Sequence, residues 1–345
     1  MTTPTQTRPS AEDSPRSTLL KLIRGFRVSQ MISVAAKLRI ADHLAEGPKT
    51  VTQLARAAGC HEDSLYRLLR ALASIGVFAE LDALSFCLSP CAELLQSEVS
   101  GSLRTNAEVV GEEWMWLPWG SLLHSVRTGE SACELVYGKN TWDWFTENPS
   151  AGQLFDQFMD ESTIGSAASV VAAYDFLAPR TVIDIAGGRG VLLASILRRN
   201  LAARGVLFNL PQVIEAAGKI LDSEIASRIQ FVPGNFFEGV PAGGDLYILK
   251  DILHDWNDVA AQRILGSCRR AMSDNAKLLI IEQLVGAPNE QCEGKIGDIS
   301  MMVRTGGRNR TELEFRKLLG ASGFHLSRLI PTPGGPDIVE ALACN

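Results

Sequence analysis

Five short apolar runs in the second half of the chain are each followed by side chains that could bind a ligand or take part in chemistry. The first run leads into Asp184–Gly190 (Asp-Ile-Ala-Gly-Gly-Arg-Gly), and the fourth leads into Lys250–Trp256, which contains His254. A neutral imidazole can accept a proton near neutral pH, so His254 is a candidate for acid–base chemistry. The other three runs lead to Asn209, to Gly234–Phe236 and to Glu282. Core packing does not explain five such placements together, and we predict one ligand-binding crevice.

The segment after the first run is rich in glycine. Gly187, Gly188 and Gly190 lack a Cβ and therefore allow the backbone to approach a ligand where a side chain would collide. The spacing differs from the dinucleotide pattern Gly-x-Gly-x-x-Gly, because the glycines are closer together and Asp184 precedes them. A tight turn between a strand and a helix explains one or two of these glycines but not the whole segment. We interpret it as a ligand-binding turn.

The elements around these residues alternate between strands and helices. Amphipathic segments such as Val191–Arg199 and Ala260–Met272 separate the apolar runs, which indicates a Rossmann-like α/β domain with a mostly parallel, doubly wound sheet. In such sheets ligands bind outside the carboxyl ends of the strands. The last two strands are joined by the short connection 331–336, so we expect an antiparallel C-terminal pair. The predicted strands are 182–185, 206–208, 229–232, 246–249, 278–281, 324–330 and 337–342.

The chain before this sheet has a helical pattern from Leu19 to about Ile164. Helices at 50–59 and 61–75 followed by a small hairpin at 77–88 have the order of a winged-helix module. Such a module can bind DNA or can serve for dimerisation. The net charge of -6, with only Arg67 and Arg70 as basic residues of the second helix, favours dimerisation. We therefore expect a homodimer that binds no nucleic acid.

The 345 residues are more than one hydrophobic core usually holds, and we divide them into four segments. We predict a disordered leader at 1–17, a winged-helix dimerisation domain at 18–110, a helical linker and substrate-pocket region at 111–165, and a catalytic α/β domain at 166–345. We expect no membrane partner, because no apolar run is long and charge-free enough to span a bilayer. Seven scattered cysteines without a Cys-x-x-Cys pair favour free thiols and a cytoplasmic location.

Several segments resemble those of one enzyme family. Asp184–Gly190 resembles the first motif of class I S-adenosylmethionine-dependent methyltransferases. Leu253–Asp258 (Leu-His-Asp-Trp-Asn-Asp) is similar to the base-bearing motif of the caffeate and hydroxyindole O-methyltransferases and their bacterial antibiotic-pathway relatives. Further similarities are in Phe155–Met159, Gly306–Phe315 and Ala321–Phe324. The resemblance covers nearly the whole chain after the leader, and it implies S-adenosylmethionine as the cofactor.

The resemblance also implies a role for each matched position. His254 would be the general base, and Glu282 and Glu314 would bracket its ring. The other matched residues would hold the cofactor: Asp184, Ala186, Gly188 and Gly190 its methionine part, Ser162 or Thr163 its carboxylate, Asn209 its ribose, Asn235 and Phe236 its adenine, with Lys250 at its flank.

The sequence departs from the family pattern at three of these positions. Ala186 stands at the first glycine of the triplet, and Asn209 and Asn235 stand at two acidic positions. Asparagine still accepts hydrogen bonds but carries no charge, which we expect to weaken cofactor binding about ten- to thirtyfold. Ala186 would be strained if its position requires a positive φ.

Aromatic residues are frequent between Trp114 and Phe158, and they could form an acceptor pocket or simply core. Phe158, Met159 and Met302, together with Asp255, are our candidates for contact with a hydroxylated aromatic or polyketide-like acceptor. No His, Cys, Asp and Glu cluster has metal-ligand spacing, so we expect no metal. Two alternatives stay open. One is a hydroxylase- or pericyclase-like enzyme on the methyltransferase fold that no longer transfers methyl, and the other is a ligand-responsive regulator that uses the winged helix.

Overall fold

The structure, a computed structural model, describes residues 14–344. The chain divides into two compact units between Glu113 and Trp114. Within residues 14–344, no helix has both the length and the apolar character needed to cross a membrane.

The first unit combines helices with a small antiparallel sheet in the order β1-β3-β2. Thr50 starts the first helix of the winged pair with a capping box to Gln53, and Gly59 ends it in the left-handed conformation with φ 65. This is the predicted winged-helix order. The elements are α1 Pro15–Ile23, α2 Gly25–Lys37, α3 Ile40–His43, β1 Lys49–Thr50, α4 Val51–Ala58, α5 Glu62–Ala73, β2 Phe78–Leu81, β3 Ser85–Leu88, α6 Pro90–Glu93 and α7 Arg104–Val110.

The predicted leader, 1–17, is too long at its C-terminal end. Residues 1–13 lie outside the described residues, but α1 already begins at Pro15. The Ser14 hydroxyl accepts a hydrogen bond from the Ser17 amide at 3.2 Å, and proline suits the first helical position because that amide has no helical partner. These two signals start the helix inside the predicted leader.

The second unit begins with helices and continues into an alternating α/β region. The predicted linker and pocket region, 111–165, is almost entirely helical. The elements of this unit are α8 Glu113–Gly120, α9 Leu122–Thr128, α10 Ala132–Tyr137, α11 Thr141–Glu147, α12 Pro149–Ala173, β4 Thr181–Ile185, α13 Val191–Arg199, β5 Arg204–Asn209, α14 Pro211–Ile220, α15 Ser223–Ala226, β6 Ile229–Pro233, β7 Leu246–Lys250, α16 Asp258–Ala271, β8 Lys277–Glu282, α17 Glu293–Arg304, α18 Glu312–Gly320, β9 Phe324–Ile330 and β10 Asp337–Ala343.

A seven-stranded sheet in the order β6-β5-β4-β7-β8-β10-β9 forms the centre of the second unit. Strands β4 to β8 pair in parallel, whereas β10 pairs antiparallel with both β8 and β9. The α/β fold with an antiparallel C-terminal pair is thus confirmed. Because side chains alternate along a strand, neighbours such as Ile183 and Val182 enter separate buried clusters, so helices cover both faces of the sheet.

Candidate active site

The parallel register brings the polar strand ends to one edge of the sheet. Asp184 in β4 pairs with Ile248 of β7, and Lys250 at the end of β7 pairs with Ile281 of β8. The Asp251 amide then donates to the Ile281 carbonyl at 3.0 Å, which holds the chain after β7 against β8. The segments that follow β4, β7 and β8 are therefore neighbours.

The glycine turn after β4 requires a left-handed backbone at three positions. Ala186, Gly188 and Gly190 have φ 55, 57 and 85. A Cβ at Gly187 would lie 2.3 Å from Oδ2 of Asp184, so this position also excludes a side chain. Ala186 is the strained member, because a left-handed conformation costs an L-residue about 1–2 kcal/mol. Its amide is held by the Phe208 carbonyl at 2.7 Å, which keeps it in place.

Asp184 presents a carboxylate that is buried in the second unit. The residue is 1% exposed, and neither of its oxygens accepts a hydrogen bond from residues 14–344. Burial raises the pKa of Asp184 to about 7, and the Lys250 charge opposes that rise. A buried acceptor without a partner among the described residues, beside a glycine-rich turn, fits a ligand that donates hydrogen bonds or carries positive charge.

Lys250 enters the same edge with its charge already paired. Its ammonium group bonds the carboxylate of Asp251, and both side chains are almost buried. Asp251 adopts the left-handed conformation with φ 54, which turns the chain out of β7 towards the His254 segment.

The two asparagines each use one oxygen in a local turn. Oδ1 of Asn209 accepts from the Leu210 amide at 2.7 Å, and Oδ1 of Asn235 accepts from the Phe237 amide at 3.0 Å. An amide oxygen can accept a second hydrogen bond, so these contacts fix each side chain without exhausting it. The Phe236 ring packs edge-on against Trp256 at 6.0 Å, which ties the segment after β6 to the one after β7.

Ser162 is an exposed residue of α12, and its carbonyl accepts from the Ser166 hydroxyl at 3.1 Å. Asp160, two residues earlier, pairs with Arg189 of the glycine turn at 2.5 Å. Sequence reasoning missed this ion pair, although an arginine inside a glycine-rich turn is itself an unusual signal. Burial raises the pKa of nearby Asp156 to about 6, against the opposing charge of Arg189.

His254 lies in a short 3₁₀ turn, Leu253–Asp255, directly after β7. Its amide donates to Oε1 of Glu282 at 3.0 Å, and its Nε2 lies 4.0 Å from Oδ2 of Asp255. Glu282 is fully buried, and its Oε2 has no partner among residues 14–344. Burial raises the pKa values of Glu282 and Asp255, while the nearby His254 lowers both. His254 is therefore next to two buried acids, Glu282 at its backbone amide and Asp255 at its Nε2.

Glu314 forms its hydrogen bonds with residues other than His254. One of its oxygens accepts from the amide of Thr311 at 2.8 Å and from its hydroxyl at 2.9 Å, and the other bonds Arg308 at 2.5 Å. The first pair of bonds belongs to the capping box that starts α18. Both oxygens are thus engaged by these two residues rather than by the imidazole. Hydrogen bonds from Thr311, with the Arg308 charge, lower the pKa of Glu314 against the effect of burial.

Arg310 is the buried residue that fixes the histidine segment, and sequence reasoning assigned it no role. It is 0% exposed, and its guanidinium donates to the carbonyls of Leu253 at 2.8 Å and Trp256 at 2.9 Å. It also donates to Oδ1 of Asp258 from Nε at 3.0 Å and from Nη2 at 2.8 Å. One planar cation thereby bonds both sides of the His254 turn.

The aromatic run forms a packed cluster in the second unit. Phe155 stacks on Phe145 at 5.0 Å and contacts Phe158 at 6.2 Å, and Arg304 lies 5.1 Å from the centre of its ring. The candidate contact residues Phe158, Met159 and Met302 are half-buried. Among residues 14–344, His, Cys, Asp and Glu side chains form no group of three that could hold a metal ion.

Two family models match the chain. An O-methyltransferase domain matches residues 119–325, and an O-methyltransferase dimerisation domain matches residues 20–97. The chain belongs to the O-methyltransferase family. It is an S-adenosylmethionine-dependent O-methyltransferase that forms a homodimer, as the sequence predicted.

Known members of this family are similar over nearly their whole length. The phenazine O-methyltransferase PhzM of Lysobacter antibioticus is 44% identical, over 94% of this chain and 95% of that protein. The crystal structure of LaPhzM has a TM-score of 0.93 and 43% identity, covering 96% of this chain and 99% of that one. NcsB1 of neocarzinostatin biosynthesis, solved with S-adenosylmethionine and 2-hydroxy-5-methyl naphthoic acid, has a TM-score of 0.81 and 33% identity, covering 92% and 96%.

Proposed function

We propose that this O-methyltransferase methylates a phenolic hydroxyl of an aromatic or polyketide-like small molecule, with His254 as the general base. The observation that carries the proposal is the position of the imidazole. It follows β7 at the carboxyl edge of the sheet, with its amide bonded to the buried Glu282 and its Nε2 4.0 Å from Asp255. A proton acceptor held in this way follows the strand next to the one that leads into the glycine turn.

The chemistry needs a base because a phenol has a pKa near about 10 and is mostly protonated at neutral pH. Bound S-adenosylmethionine supplies an electrophilic methyl group on a sulfonium. The imidazole of His254 takes the phenolic proton, a contribution of typically about 10²- to 10⁴-fold. The carboxylates of Asp255 and Glu282 stabilise the imidazolium that this transfer creates.

The cofactor is held by the turn after β4 and by the strand ends beside it. The Asp184 carboxylate, which has no hydrogen-bond partner among residues 14–344, and the left-handed turn of Ala186, Gly188 and Gly190 support this assignment for the methionine part. Asn209 is assigned to the ribose and Asn235 with Phe236 to the adenine, while Lys250 flanks the site. Ser162 keeps the role that the resemblance implied for it.

The two asparagines give a direct test of the cofactor assignment. Asn209→Asp and Asn235→Asp each restore a charged acceptor, and together they should tighten S-adenosylmethionine binding about ten- to thirtyfold. Titration calorimetry measures this change. Unchanged affinity in both variants would show that neither side chain contacts the cofactor.

The acceptor is expected to lie against the aromatic cluster. Phe158, Met159 and Met302 would provide apolar contacts, and Asp255 would lie beside the base. Two relatives support an aromatic acceptor by name, since one is a phenazine O-methyltransferase and the other was solved with a naphthoic acid.

The deciding experiment incubates wild-type protein and His254→Ala with labelled S-adenosylmethionine and a panel of phenols. Turnover should fall about 10²- to 10⁴-fold in the variant while cofactor affinity, measured by calorimetry, barely changes. His325→Ala, in β9, is the matched control and should keep full turnover. Undiminished turnover in His254→Ala would exclude the imidazole as base. Failure of the wild type to methylate any member of the panel would favour the non-methylating alternative.

We also propose a cytoplasmic location. All seven cysteines are free thiols. Thiols that stay unpaired are typical of a reducing compartment, which supports this assignment.

A further inference from the structure

Arg304, the last residue of α17, carries a guanidinium that forms no ion pair with the acids of residues 14–344. Its Nη2 is buried and donates to no residue in the range 14–344. Burial lowers the pKa of Arg304, and Asp255 and Cys133 raise it. Burying an unpaired cation is unfavourable even after the surroundings relax. The contact with the Phe155 ring offsets only part of that cost.

The backbone of Arg304 is held in place from two helices. Its carbonyl accepts from the Ser131 hydroxyl at 3.0 Å and from the Thr141 hydroxyl at 2.5 Å. Ser131 is the N-cap of α10 and Thr141 is the first residue of α11, so the same two residues that start these helices also anchor the end of α17. The backbone position from which the Arg304 side chain extends is therefore fixed by two hydrogen bonds.

The surroundings of Arg304 connect the aromatic cluster with the base. On one side its Cζ lies 5.1 Å from the centre of the Phe155 ring. On the other side, the negative charge of Asp255 raises the pKa of Arg304, although the two side chains form no ion pair within 4 Å. The same Asp255 carboxylate lies 4.0 Å from Nε2 of His254. A ligand that placed a hydroxyl at His254 and an aromatic ring at Phe155 would meet this cation.

We propose that Arg304 binds an oxygen anion carried by the acceptor, and that the acceptor is a hydroxylated aromatic carboxylic acid. A guanidinium is planar and donates two parallel hydrogen bonds, which matches a carboxylate. Such a bond would give Nη2 the partner that the described residues do not provide. This inference rests on the proposed function, because it places the acceptor hydroxyl at His254.

The test measures binding, so it does not depend on turnover. Protein saturated with S-adenosylhomocysteine is titrated calorimetrically with hydroxynaphthoic acid isomers and with their methyl esters. Wild-type protein should bind at least one acid about tenfold or more tightly than its ester, because esterification removes the anion. Arg304→Gln should remove that preference and leave ester affinity unchanged, and Arg304→Lys should keep part of it.

Two controls separate this inference from its alternatives. Arg316→Ala removes a half-exposed arginine that pairs with Glu312 in α18, and it should keep the full preference for the acid. His254→Ala should also keep it, since the base does not bind the carboxylate. Equal affinity of wild-type protein for every acid and its ester would overturn the proposal even if the Arg304 variants did not fold. A preference that persists in Arg304→Gln would assign it to another cation.

Discussion

Replacing Arg310 should disable the turn that carries His254 while cofactor binding stays nearly unchanged. The guanidinium donates to the carbonyls of Leu253 and Trp256, which flank the histidine, from a site with 0% exposure. Arg310→Lys keeps the positive charge but loses the planar fork, so it can replace only part of these bonds. The glycine turn after β4 takes no hydrogen bond from Arg310 and should keep its geometry.

The loss of stability is set by the two buried carbonyls that lose their hydrogen-bond donor. A hydrogen bond to a charged group contributes about 1.5–3 kcal/mol, so loss of the two carbonyl bonds should cost on the order of 3–5 kcal/mol of unfolding free energy in Arg310→Ala. The Asp258 pair adds at most about 1 kcal/mol, because that carboxylate is 54% exposed. A misplacement of the base by about 1 Å lowers turnover roughly 100-fold, so we expect a 10- to 100-fold loss of kcat in Arg310→Lys.

The assay combines urea unfolding, single-turnover methyl transfer and calorimetry with S-adenosylmethionine. Arg308→Lys is the matched control, since Arg308 is 46% exposed, pairs with Glu314 and should cost at most about 1 kcal/mol. If Arg310→Lys is destabilised but each folded molecule turns over at the wild-type rate, the guanidinium stabilises the segment without positioning the base. If stability is also unchanged, the guanidinium bonds to the Leu253 and Trp256 carbonyls contribute little to folding.

Three further predictions concern the glycine turn and the dimer. Burial raises the pKa of Asp184 from 3.8 to about 7, so between these pH values the folded apo protein holds a proton that the unfolded chain has lost. Between pH 5 and pH 8 the free energy of unfolding of the wild type should therefore fall by about 3 kcal/mol more than that of Asp184→Asn, as measured by urea unfolding. Ala186→Gly should raise the free energy of unfolding by roughly 1 kcal/mol, since relief of left-handed strain exceeds the entropy of the added glycine; a destabilised variant would contradict this. Leu22→Asp, on α1 where the side chain is 72% exposed, should weaken the dimer about ten- to 100-fold in sedimentation experiments, whereas Leu201→Asp, 76% exposed in the second unit, should not.

The fold was predictable because its signals are local and periodic. Alternation of apolar runs with amphipathic helices specified a parallel sheet, and the connection 331–336 was too short for anything but an antiparallel return. The end of the leader was misjudged because a helix can start from one capping serine and one proline, here Ser14 and Pro15, without any apolar periodicity before them.

The site was predictable where strand order alone decides position. Asp184, Lys250 and Glu282 lie at the carboxyl ends of neighbouring parallel strands, so the topology places all three at the same edge of the sheet. The partners of Glu314 could not be predicted, because the same Thr-x-x-Glu spacing that belongs to the matched motif also forms a capping box, in which the carboxylate bonds Thr311. Arg310 was missed because nothing in a sequence shows which of several arginines becomes buried and bonds a distant turn.

The charges at this edge are divided in a way that suits methyl transfer from a cation to an oxygen. On the side of the glycine turn, the uncommitted charge is the carboxylate of Asp184, because Lys250 is already paired with Asp251. On the other side, Arg304 and a protonated His254 are the cations, and both lie near the carboxylate of Asp255. A sulfonium is favoured next to an anion, and negative charge developing on a phenolic oxygen is favoured next to cations. The proposed placement therefore puts the sulfonium beside the anion, and the acceptor oxygen beside the cations and the base that takes its proton.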